Sequence, residues 1–515
     1  MSLSVVYTRA NIGIDAPLVT IEVHLSNGLP AFQLVGLPET SVKESRDRVK
    51  SALINAGFEF PSKRITVNMA PADLPKGGGR FDLAIAIGII AASEEIPLVQ
   101  LEHYEFVGEL ALSGALRPIQ GALPMAHAAK KSKRQLVLPA QNAQEAALVK
   151  DAGVLSAKNV FDVYLHLIGK QSLDEAEITK QASSHTDYGD MSDIIEQHHA
   201  KRALEICASG GHNLLLFGPA GTGKSMLANR LLSILPDLCE EDALTVASIR
   251  SIAGETIHAG NWKRRPFRQP HHSSSAAALV GGGSYPKPGE ITLAHKGVLF
   301  LDELPEFGRH VLDVMREPLE TGEINLSRAS QKITYPADFQ LIAAMNPSPT
   351  GDVEDKRANA DQIMRYLNKV SGPLLDRIDL QVNVPRVNLQ KTLSQMHNDD
   401  SAETQRTSSK AESSQIIKKR VQHAQDLQFN RQGCLNASLS NAQIKEVCRL
   451  KANDHLFITQ AIDALGLSMR AYHRTLKVSR SIADLDMSTN IKQCHIAEAL
   501  SYRSFDRLLH QLISQ

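Results

Sequence analysis

The sequence of 515 residues has few of the features that anchor or cross-link a chain. Its five cysteines form no CxxC pair, which argues against a disulfide framework or a zinc site and fits a reducing compartment. It has no run of about eighteen apolar residues that would predict a membrane-spanning helix, and its first residues lack the apolar core of a signal peptide. We therefore expect an unanchored cytoplasmic protein without a membrane partner. Lysine plus arginine (56) equals aspartate plus glutamate (56), so a nucleic-acid surface would have to be local.

A phosphate-binding pattern is the first positive feature. The apolar run 213–217 predicts a buried parallel strand, and helical spacing of apolar residues begins after Ser225. The loop between them has the pattern G-x-x-x-x-G-K-S and consists of Gly218, Pro219, Ala220, Gly221, Thr222, Gly223, Lys224 and Ser225. Backbone N–H groups of such a loop surround phosphate oxygens at a helix N-terminus. We predict that Lys224 neutralises the β- and γ-phosphates and that Ser225 holds Mg²⁺.

A second buried strand, at 297–301, ends in two acids. Asp302 is predicted to position Mg²⁺ and its water shell, and Glu303 to orient and polarise the attacking water. A strand that merely ends in solvated acids is the alternative, and the P-loop upstream argues against it. The P-loop alone could serve a kinase, a GTPase or a motor; the pair of acids makes nucleotide hydrolysis, with Mg²⁺ as cofactor, the expected chemistry.

Two further segments extend this site. Residues 339–345 predict another buried strand, and Asn346 after it can hydrogen-bond the attacking water or the γ-phosphate, although a turn before Pro347 also explains an asparagine there. Residues 191–208 predict a helix just before the P-loop. Its Ile194 and Ile195 are candidates for contact with the adenine ring, and core packing accounts for them equally well.

The first 170 or so residues mix short strands and helices, which predicts an α+β architecture. Residues 18–25 alternate apolar and polar side chains, as a half-buried strand does. Asn27 and Gly28 predict a hairpin turn, with 31–35 as the returning strand.

Three stretches of this part, GGGRFDLAIAIGIIA, FVGELALSGALRPIQGALPMAHAA and QLVLP, resemble the Lon-protease-type domain, which has a ribosomal-S5-like fold. That family uses a serine, in the glycine-containing turn before the apolar helix, and a lysine. Here the turn is the glycine triplet 77–79, and the lysine position falls near Met125. A serine nucleophile needs an adjacent base, so a chain with neither group is expected to be non-proteolytic.

The segment 265–297 lies between the P-loop and Asp302. Its five glycines and four prolines exclude a single helix and predict an insertion that loops out of the core. His271 and His272 lie within it. They have no third ligand at a workable spacing, so we expect hydrogen-bonding histidines rather than a metal site.

Several motifs together resemble the Mg-chelatase-like AAA+ ATPases, and among these the ComM/YifB family. They are RPFRQPHH, GGGSYPKPGEITLAHKGVLFLDELPEF, AAMNP, SGPLLDRIDL and GLSMRAYHRTLKVSRSIADL. The resemblance covers nearly the whole chain. It implies a homo-hexameric DNA helicase that promotes branch migration during natural transformation and homologous recombination. Single-stranded and branched DNA, and recombination proteins, are the implied partners. Many family members carry cysteines directly after the Asn-Pro of AAMNP; the stretch 347–362 has none here, which argues against a structural zinc at this place.

The same resemblance assigns further residues. It makes Arg377 an arginine finger that reaches the γ-phosphate of the adjacent subunit, and Arg470 a sensor-2 residue that contacts nucleotide phosphate. Residues 323–335 resemble a presensor hairpin, whose Arg328 and Lys332 would grip DNA phosphates in a central pore. Lys287 would be the contact of a second pore loop. Solvated charges on exposed loops are the alternative for these three cations.

The predicted fold class is multidomain α/β. It comprises a Lon-like α+β domain (1–170), a linker (171–190), an AAA+ P-loop α/β core (191–388) and a C-terminal α-helical lid (389–515) with a mobile loop (397–415). A Mg-chelatase-type motor subunit and a non-DNA remodeller remain alternative functions. The missing dyad argues against an ATP-dependent protease.

Overall fold

Two sheets organise the chain in a computed structural model. It describes residues 2–36, 44–178, 188–283, 286–328, 331–349, 351, 359–386, 412–465 and 467–513, apart from a few side chains among them. The first sheet comes from the N-terminal third, and the second carries the P-loop.

The N-terminal sheet has eight strands in the order β10-β9-β8-β5-β1-β2-β4-β3. Every residue of the helix α2 (Asp82–Ala92) is buried, and an added Cβ at its Gly88 would lie 2.6 Å from Cγ2 of Val23 on the strand β2 (Leu18–Ser26), so glycine allows this close packing. The strands are β1 Ser2–Arg9, β2 Leu18–Ser26, β3 Ala31–Val35, β4 Arg64–Ala70, β5 Tyr104–Phe106, β6 Glu109–Leu110, β7 Leu116–Arg117, β8 Gln135–Pro139, β9 Val154–Ala157 and β10 Asp174–Glu175. The helices are α1 Ser45–Asn55, α2 Asp82–Ala92, α3 Leu98–Leu101, α4 Ala122–Lys131, α5 Ala143–Ala146 and α6 Val160–Leu167, with 3₁₀ turns at Gly79–Phe81 and Ala140–Asn142.

Two expectations for this part are wrong. The predicted hairpin at Asn27 does not form, because β2 pairs antiparallel with β1 and β4 on its two sides, and β3 instead pairs parallel with β4 at the sheet edge. The predicted linker 171–190 also begins too early. Its residues Asp174 and Glu175 form β10, which pairs with β9, and residues 179–187 lie outside the described ranges.

The second sheet has five parallel strands in the order β12-β15-β18-β11-β19. Its strands β11, β15 and β18 are buried at every position, as in parallel sheets covered on both faces. The strands of this region are β11 Leu214–Phe217, β12 Phe267–Arg268, β13 Gly281–Gly282, β14 Lys287–Pro288, β15 Val298–Leu301, β16 Glu323–Arg328, β17 Gln331–Pro336, β18 Gln340–Met345 and β19 Leu380–Asn383. The sheet confirms the predicted α/β core.

Helices surround this sheet. They are α7 His198–Gly210, α8 Lys224–Ile234, α9 Glu240–Ala253, α10 Ala276–Val280, α11 Glu290–Leu293, α12 Arg309–Asp313, α13 Arg316–Thr321, α14 Ala360–Leu367 and α15 Gly372–Leu375, with 3₁₀ turns at Met191–Asp193 and Leu304–Glu306. The predicted helix 191–208 is in fact two pieces, because Ile194 leaves the helical conformation and Glu196 has φ +63°. The predicted insertion 265–297 is partly core, since β12 pairs with β15.

The C-terminal part is helical. Its helices are α16 Ser414–Gln432, α17 Asn441–Val447, α18 Ala452–Ala464, α19 Met469–Leu485, α20 Gln493–Ser501 and α21 Ser504–Ile513, with a 3₁₀ turn at Asn436–Ser438. The helices α16 and α19 pack against α7 of the core. The predicted loop 397–415 lies outside the described residues up to 411, and α16 includes its last two residues.

The N-terminal part packs directly on the core. The helices α4 and α9 share a cluster that contains Leu123, Met125 and Ala247, and the Gly121 N–H donates to the Ser251 carbonyl at 3.2 Å. Within the described residues, we find no helix that is both long and apolar enough to span a bilayer.

Candidate nucleotide site

The phosphate-binding loop follows β11 at the carboxyl edge of the five-stranded sheet. Gly218 starts the loop where only glycine fits, because a Cβ there would lie 2.2 Å from the Val384 carbonyl oxygen. Gly223 has φ +87°, a conformation that glycine adopts without strain, and α8 begins at the next residue. The backbone therefore presents N–H groups at the start of an eleven-residue helix, as phosphate binding requires.

Lys224 turns back over this loop. Its ammonium donates to the Gly218 carbonyl at 2.7 Å, the Pro219 carbonyl at 2.8 Å and Oδ1 of Asn346 at 3.0 Å. Burial lowers the pKa of Lys224, with Asp302 opposing that effect. The structure thus brings the P-loop lysine and the asparagine after β18 into direct contact. A phosphate oxygen is a stronger acceptor than a backbone carbonyl, so the ammonium can exchange partners when an anion enters.

The two acids lie beside the loop, at the end of β15. The Ser225 hydroxyl donates to Oδ2 of Asp302 at 2.7 Å, and Oδ1 of Asp302 accepts from the Glu303 N–H at 2.9 Å. Glu303 has φ +52°, an unusual conformation for a residue with a side chain. Its side chain is 56% exposed and therefore open to a water molecule.

A hydroxyl and a carboxylate at 2.7 Å are hard oxygen donors of the type that suits Mg²⁺, which keeps several waters and takes few protein ligands. Ser225 and Asp302 therefore fit the ion. A dedicated cluster of three or more His, Cys, Asp or Glu that could hold a metal is absent from the described residues.

His272 contacts Glu303, which the sequence did not indicate. Nδ1 of His272 lies 3.3 Å from a carboxylate oxygen of Glu303, whereas His271 contacts the Ser273 hydroxyl at 2.8 Å. The contact arises because β12 and β15 are neighbours, so the chain that leaves β12 passes beside the acids that leave β15. Both histidines make polar contacts, as expected.

We expect His272→Ala to lower kcat for ATP by about tenfold, because His272 holds the carboxylate of Glu303, the predicted water-orienting group, and a misplacement of about 1 Å can cost about 10²-fold in rate. KM should stay within about twofold, since the charged partner of His272 among the described residues is Glu303 and not a residue of the P-loop. His271→Ala is the matched control, and steady-state ATPase assays of both give the comparison. Equal effects of the two changes would contradict a specific role for His272.

Arg377 lies at the opposite edge of the same sheet. Its backbone carbonyl accepts from Asn213, directly before β11, whereas the P-loop comes directly after β11. At about 3.3 Å per residue, four residues of strand separate the two edges. The Arg377 guanidinium donates to the Pro373 carbonyl at 2.5 Å and forms an ion pair with Glu320. The chain therefore does not bring Arg377 to its own P-loop.

Arg470 shares a cleft with Arg377. The cleft has a volume of about 760 Å³, and its lining also includes Arg474 and Lys477. Nη1 of Arg470 lies 3.8 Å from a carboxylate oxygen of Asp376, and the side chain is 67% exposed. Two arginines from distant parts of the sequence thus converge on one surface, away from the nucleotide loop of their own chain.

A buried acid fixes the walls of this arginine cleft. Oδ1 of Asp379 accepts from Arg474 of α19 at 2.7 Å, and Oδ2 accepts from the Asn213 N–H at 3.0 Å. Burial alone would raise the pKa of Asp379, but the Arg474 charge and the His212 contact hold it below its ordinary value. The carboxylate therefore stays ionised and ties the C-terminal helices to the sheet edge beside Arg377.

The remaining candidates lie elsewhere. Ile194 is fully buried in the core and Ile195 is half-buried, close to where Gln197 donates to the Pro385 carbonyl at 2.9 Å. Lys287 and Lys332 are exposed. The side chain of Arg328 lies outside the described residues.

A P-loop on one parallel strand, an acid pair on a second and an asparagine on a third define a P-loop protein of the AAA+ class. Three family descriptions match the chain. "Magnesium chelatase, subunit ChlI" matches residues 190–392, "Subunit ChlI of Mg-chelatase" matches 21–142, and "Magnesium chelatase, subunit ChlI C-terminal" matches 411–503.

Relatives that match over nearly the full length narrow the AAA+ class to one family. The chain is 53% identical to "Competence protein ComM" of Haemophilus influenzae and 51% identical to "Uncharacterized protein YifB" of Escherichia coli, each over 99% of both chains. It is 27% identical to the "Magnesium-chelatase 38 kDa subunit" of Rhodobacter capsulatus, over 38% of this chain and 55% of that protein. The chain belongs to the ComM/YifB family of Mg-chelatase-like AAA+ proteins, which confirms the family predicted from its motifs.

Proposed function

We propose that the protein is an ATP-driven DNA motor, a hexameric helicase that promotes branch migration of DNA junctions during transformation and homologous recombination. The observation that carries this proposal is the division of the site between two sheet edges. Lys224, Ser225, Asp302 and Asn346 meet at one edge, and Arg377 lies at the other.

On the first edge, each group has one task. Lys224 and the P-loop backbone bind the phosphates of ATP, and Asn346, which accepts from Lys224, hydrogen-bonds the attacking water or the γ-phosphate. Ser225 and Asp302 hold Mg²⁺, which supplies charge neutralisation when bound. The exposed carboxylate of Glu303 orients the attacking water and accepts its proton. The half-buried Ile195 is the better candidate of the two isoleucines for contact with the adenine, because Ile194 is enclosed by the core.

The opposite edge completes the site of a neighbour. Arg377 and Arg470 face a cleft that their own nucleotide cannot reach, so we assign both to the nucleotide of the adjacent subunit. A contact of this kind is heterologous, and repetition around an axis closes it into a ring. We propose six subunits from the family resemblance.

We further propose that the N-terminal part is a non-proteolytic Lon-like domain and that the C-terminal helices act as the lid. A DNA role draws support from the name of the ComM relative, which is a competence protein. Two magnesium-chelatase 38 kDa subunits match 38% and 30% of this chain, whereas the ComM relative matches 99% of it. Magnesium-chelatase family descriptions match all three parts of the chain, so a metal-insertion motor stays the second candidate function; the ComM relative, which matches over the full length, favours the DNA motor.

ATPase assays with and without single-stranded and junction DNA test this function. We expect DNA to stimulate hydrolysis, with a larger effect for junctions. Turnover that is unchanged by either DNA would overturn the helicase proposal and would favour an ATPase that acts on something other than DNA.

The exposed lysines Lys287 and Lys332 give a separate prediction for DNA binding. Changing both to alanine should weaken binding to all DNA sequences and reduce the salt dependence of the affinity, with a slope change of about 1 per lysine. Fluorescence anisotropy over a salt series measures both quantities. Lys445→Ala, an exposed lysine on α17, is the control. An unaltered salt slope in the double variant would exclude these lysines as phosphate contacts.

A further inference from the structure

Tyr335 joins two segments that are far apart in sequence, the strand β17 and the residues around Pro286. Its side chain is 1% exposed, and its hydroxyl donates to the Pro286 carbonyl at 2.7 Å. Burial raises the pKa of Tyr335 to about 12, so the hydroxyl carries its proton at neutral pH and acts as the donor. The hydrogen bond therefore links β17 to the short β13–β14 ribbon.

Each of the joined loops carries one of the exposed lysines. Lys287 follows Pro286 and pairs with Gly282 in the ribbon. On β17, Lys332 faces outward, whereas Ile333 and Tyr335 are buried on the opposite side of the strand. The Tyr335 hydroxyl thus connects the strand that carries Lys332 to the ribbon that carries Lys287.

Residues 12–15 of the N-terminal part contact the strand β17 as well. Ile12 and Asp15 exchange two backbone hydrogen bonds, at 2.9 and 3.0 Å, which makes residues 12–15 a tight turn. Gly13 in this turn has φ +58°, and a Cβ there would lie 2.8 Å from Cγ2 of Ile333. Ile12 also packs on the cluster that contains Ile333 and Tyr335.

A cavity of about 280 Å³ lies beside this contact. Residues from the N-terminal part, including Asn11 and Gly78, line one side, and Lys287, Ile333 and Tyr335 line the other. The cavity gives both segments space in which to shift, and the Tyr335 hydroxyl bond and the turn at residues 12–15 are the contacts between them.

We propose that Tyr335 and the turn at residues 12–15 form a coupling joint, which makes the loops of Lys287 and Lys332 move as one unit when DNA binds. Tyr335 is a positioning residue in this proposal, and the N-terminal part acts on the DNA loops through the turn. The inference rests on the proposed DNA-motor function. A packed core is bistable rather than continuously deformable, so a shift of one loop is transmitted to the other.

Tyr335→Phe tests the joint by removing one oxygen atom. The aromatic packing stays, so ATP turnover without DNA and KM for ATP should remain unchanged. Stimulation of turnover by DNA, and junctions moved per ATP hydrolysed, should each fall by at least about threefold, the scale of a coupling change. A variant with the stimulation and the yield per ATP of the wild type would overturn the joint. Absence of DNA stimulation in the wild type would instead overturn the proposed function, and the joint with it.

Gly13→Ala tests the N-terminal side, with Gly57→Ala as its matched control. Both glycines have positive φ, +58° and +90°, so both changes strain the backbone. Of these two glycines, only Gly13 faces the hairpin formed by β16 and β17, since a Cβ at Gly57 meets nothing within 4 Å. We expect Gly13→Ala to lower DNA stimulation by at least about threefold relative to Gly57→Ala. Equal stimulation in the two variants would exclude the turn from the joint.

Discussion

Replacing Glu303 by glutamine should lower the turnover number for ATP by about 10² to 10⁴-fold, the contribution of a positioned general base. Glutamine keeps the size of the side chain but cannot accept the proton of the attacking water. ATP binding should be retained, because among the described residues Lys224 bonds to Gly218, Pro219 and Asn346 and the Ser225 hydroxyl bonds to Asp302, so the change leaves these contacts in place. Turnover assays together with equilibrium binding of a fluorescent ATP analogue separate the two effects.

Glu306→Gln is the control for this change. Glu306 lies three residues further along the chain, in the 3₁₀ turn after the acids, and pairs with Lys369 at 3.4 Å on the surface. Its loss should leave turnover within about twofold, since exposed ion pairs contribute little. A Glu303→Gln variant that hydrolyses ATP at the wild-type rate would show that another group polarises the water.

Arg377→Ala should lower turnover by about a thousandfold or more, the scale of an arginine finger, and leave nucleotide binding intact. Glu320, its ion-pair partner, is 58% exposed, so water can solvate the carboxylate that the change leaves unpaired. The fold should therefore survive. Arg365→Ala, an exposed arginine on α14, is the control. Loss of ATP binding in Arg377→Ala would place this arginine on the nucleotide of its own chain.

Mixing two inactive variants tests whether the site is shared. A subunit with Arg377→Ala retains Glu303, and a neighbour with Glu303→Gln retains Arg377. In an equal, random mixture, about a quarter of the interfaces join an intact acid to an intact arginine. Activity should therefore recover on mixing. A mixture no more active than the sum of its components would exclude the contribution in trans.

The arrangement of residues at the P-loop edge of the five-stranded sheet could be predicted well, because the pattern that forms the loop lies within one short stretch of sequence. Strand, glycine loop and helix follow one another at 214–234, and glycine has a steric reason at Gly218 and Gly223. The acids and Asn346 could be placed near this loop because parallel strands that leave one sheet edge bring their next residues together.

Contacts between distant segments could not be predicted in this way. Nothing near His272 indicates Glu303, and nothing near Tyr335 indicates Pro286, because both contacts depend on which strands and loops become neighbours. The turn signal at Asn27 failed for the same kind of reason. Its local chemistry is that of a hairpin, but β4 occupies the side of β2 that the returning strand would need.

Short elements also escaped prediction. The strands β10 and β12 have two residues each, too few for an apolar period to emerge, and their identity depends on pairing with β9 and β15. Arg377 and Arg470 were assigned by resemblance, and only the folded chain reveals that they share one cleft.

Branch migration of a synthetic mobile four-way junction tests the central claim most directly. Wild-type protein with ATP and Mg²⁺ should convert the junction into its two duplex products. Glu303→Gln should bind the junction and fail to move it, which ties movement to hydrolysis. Junctions that stay intact while the wild type hydrolyses ATP in their presence would contradict the account.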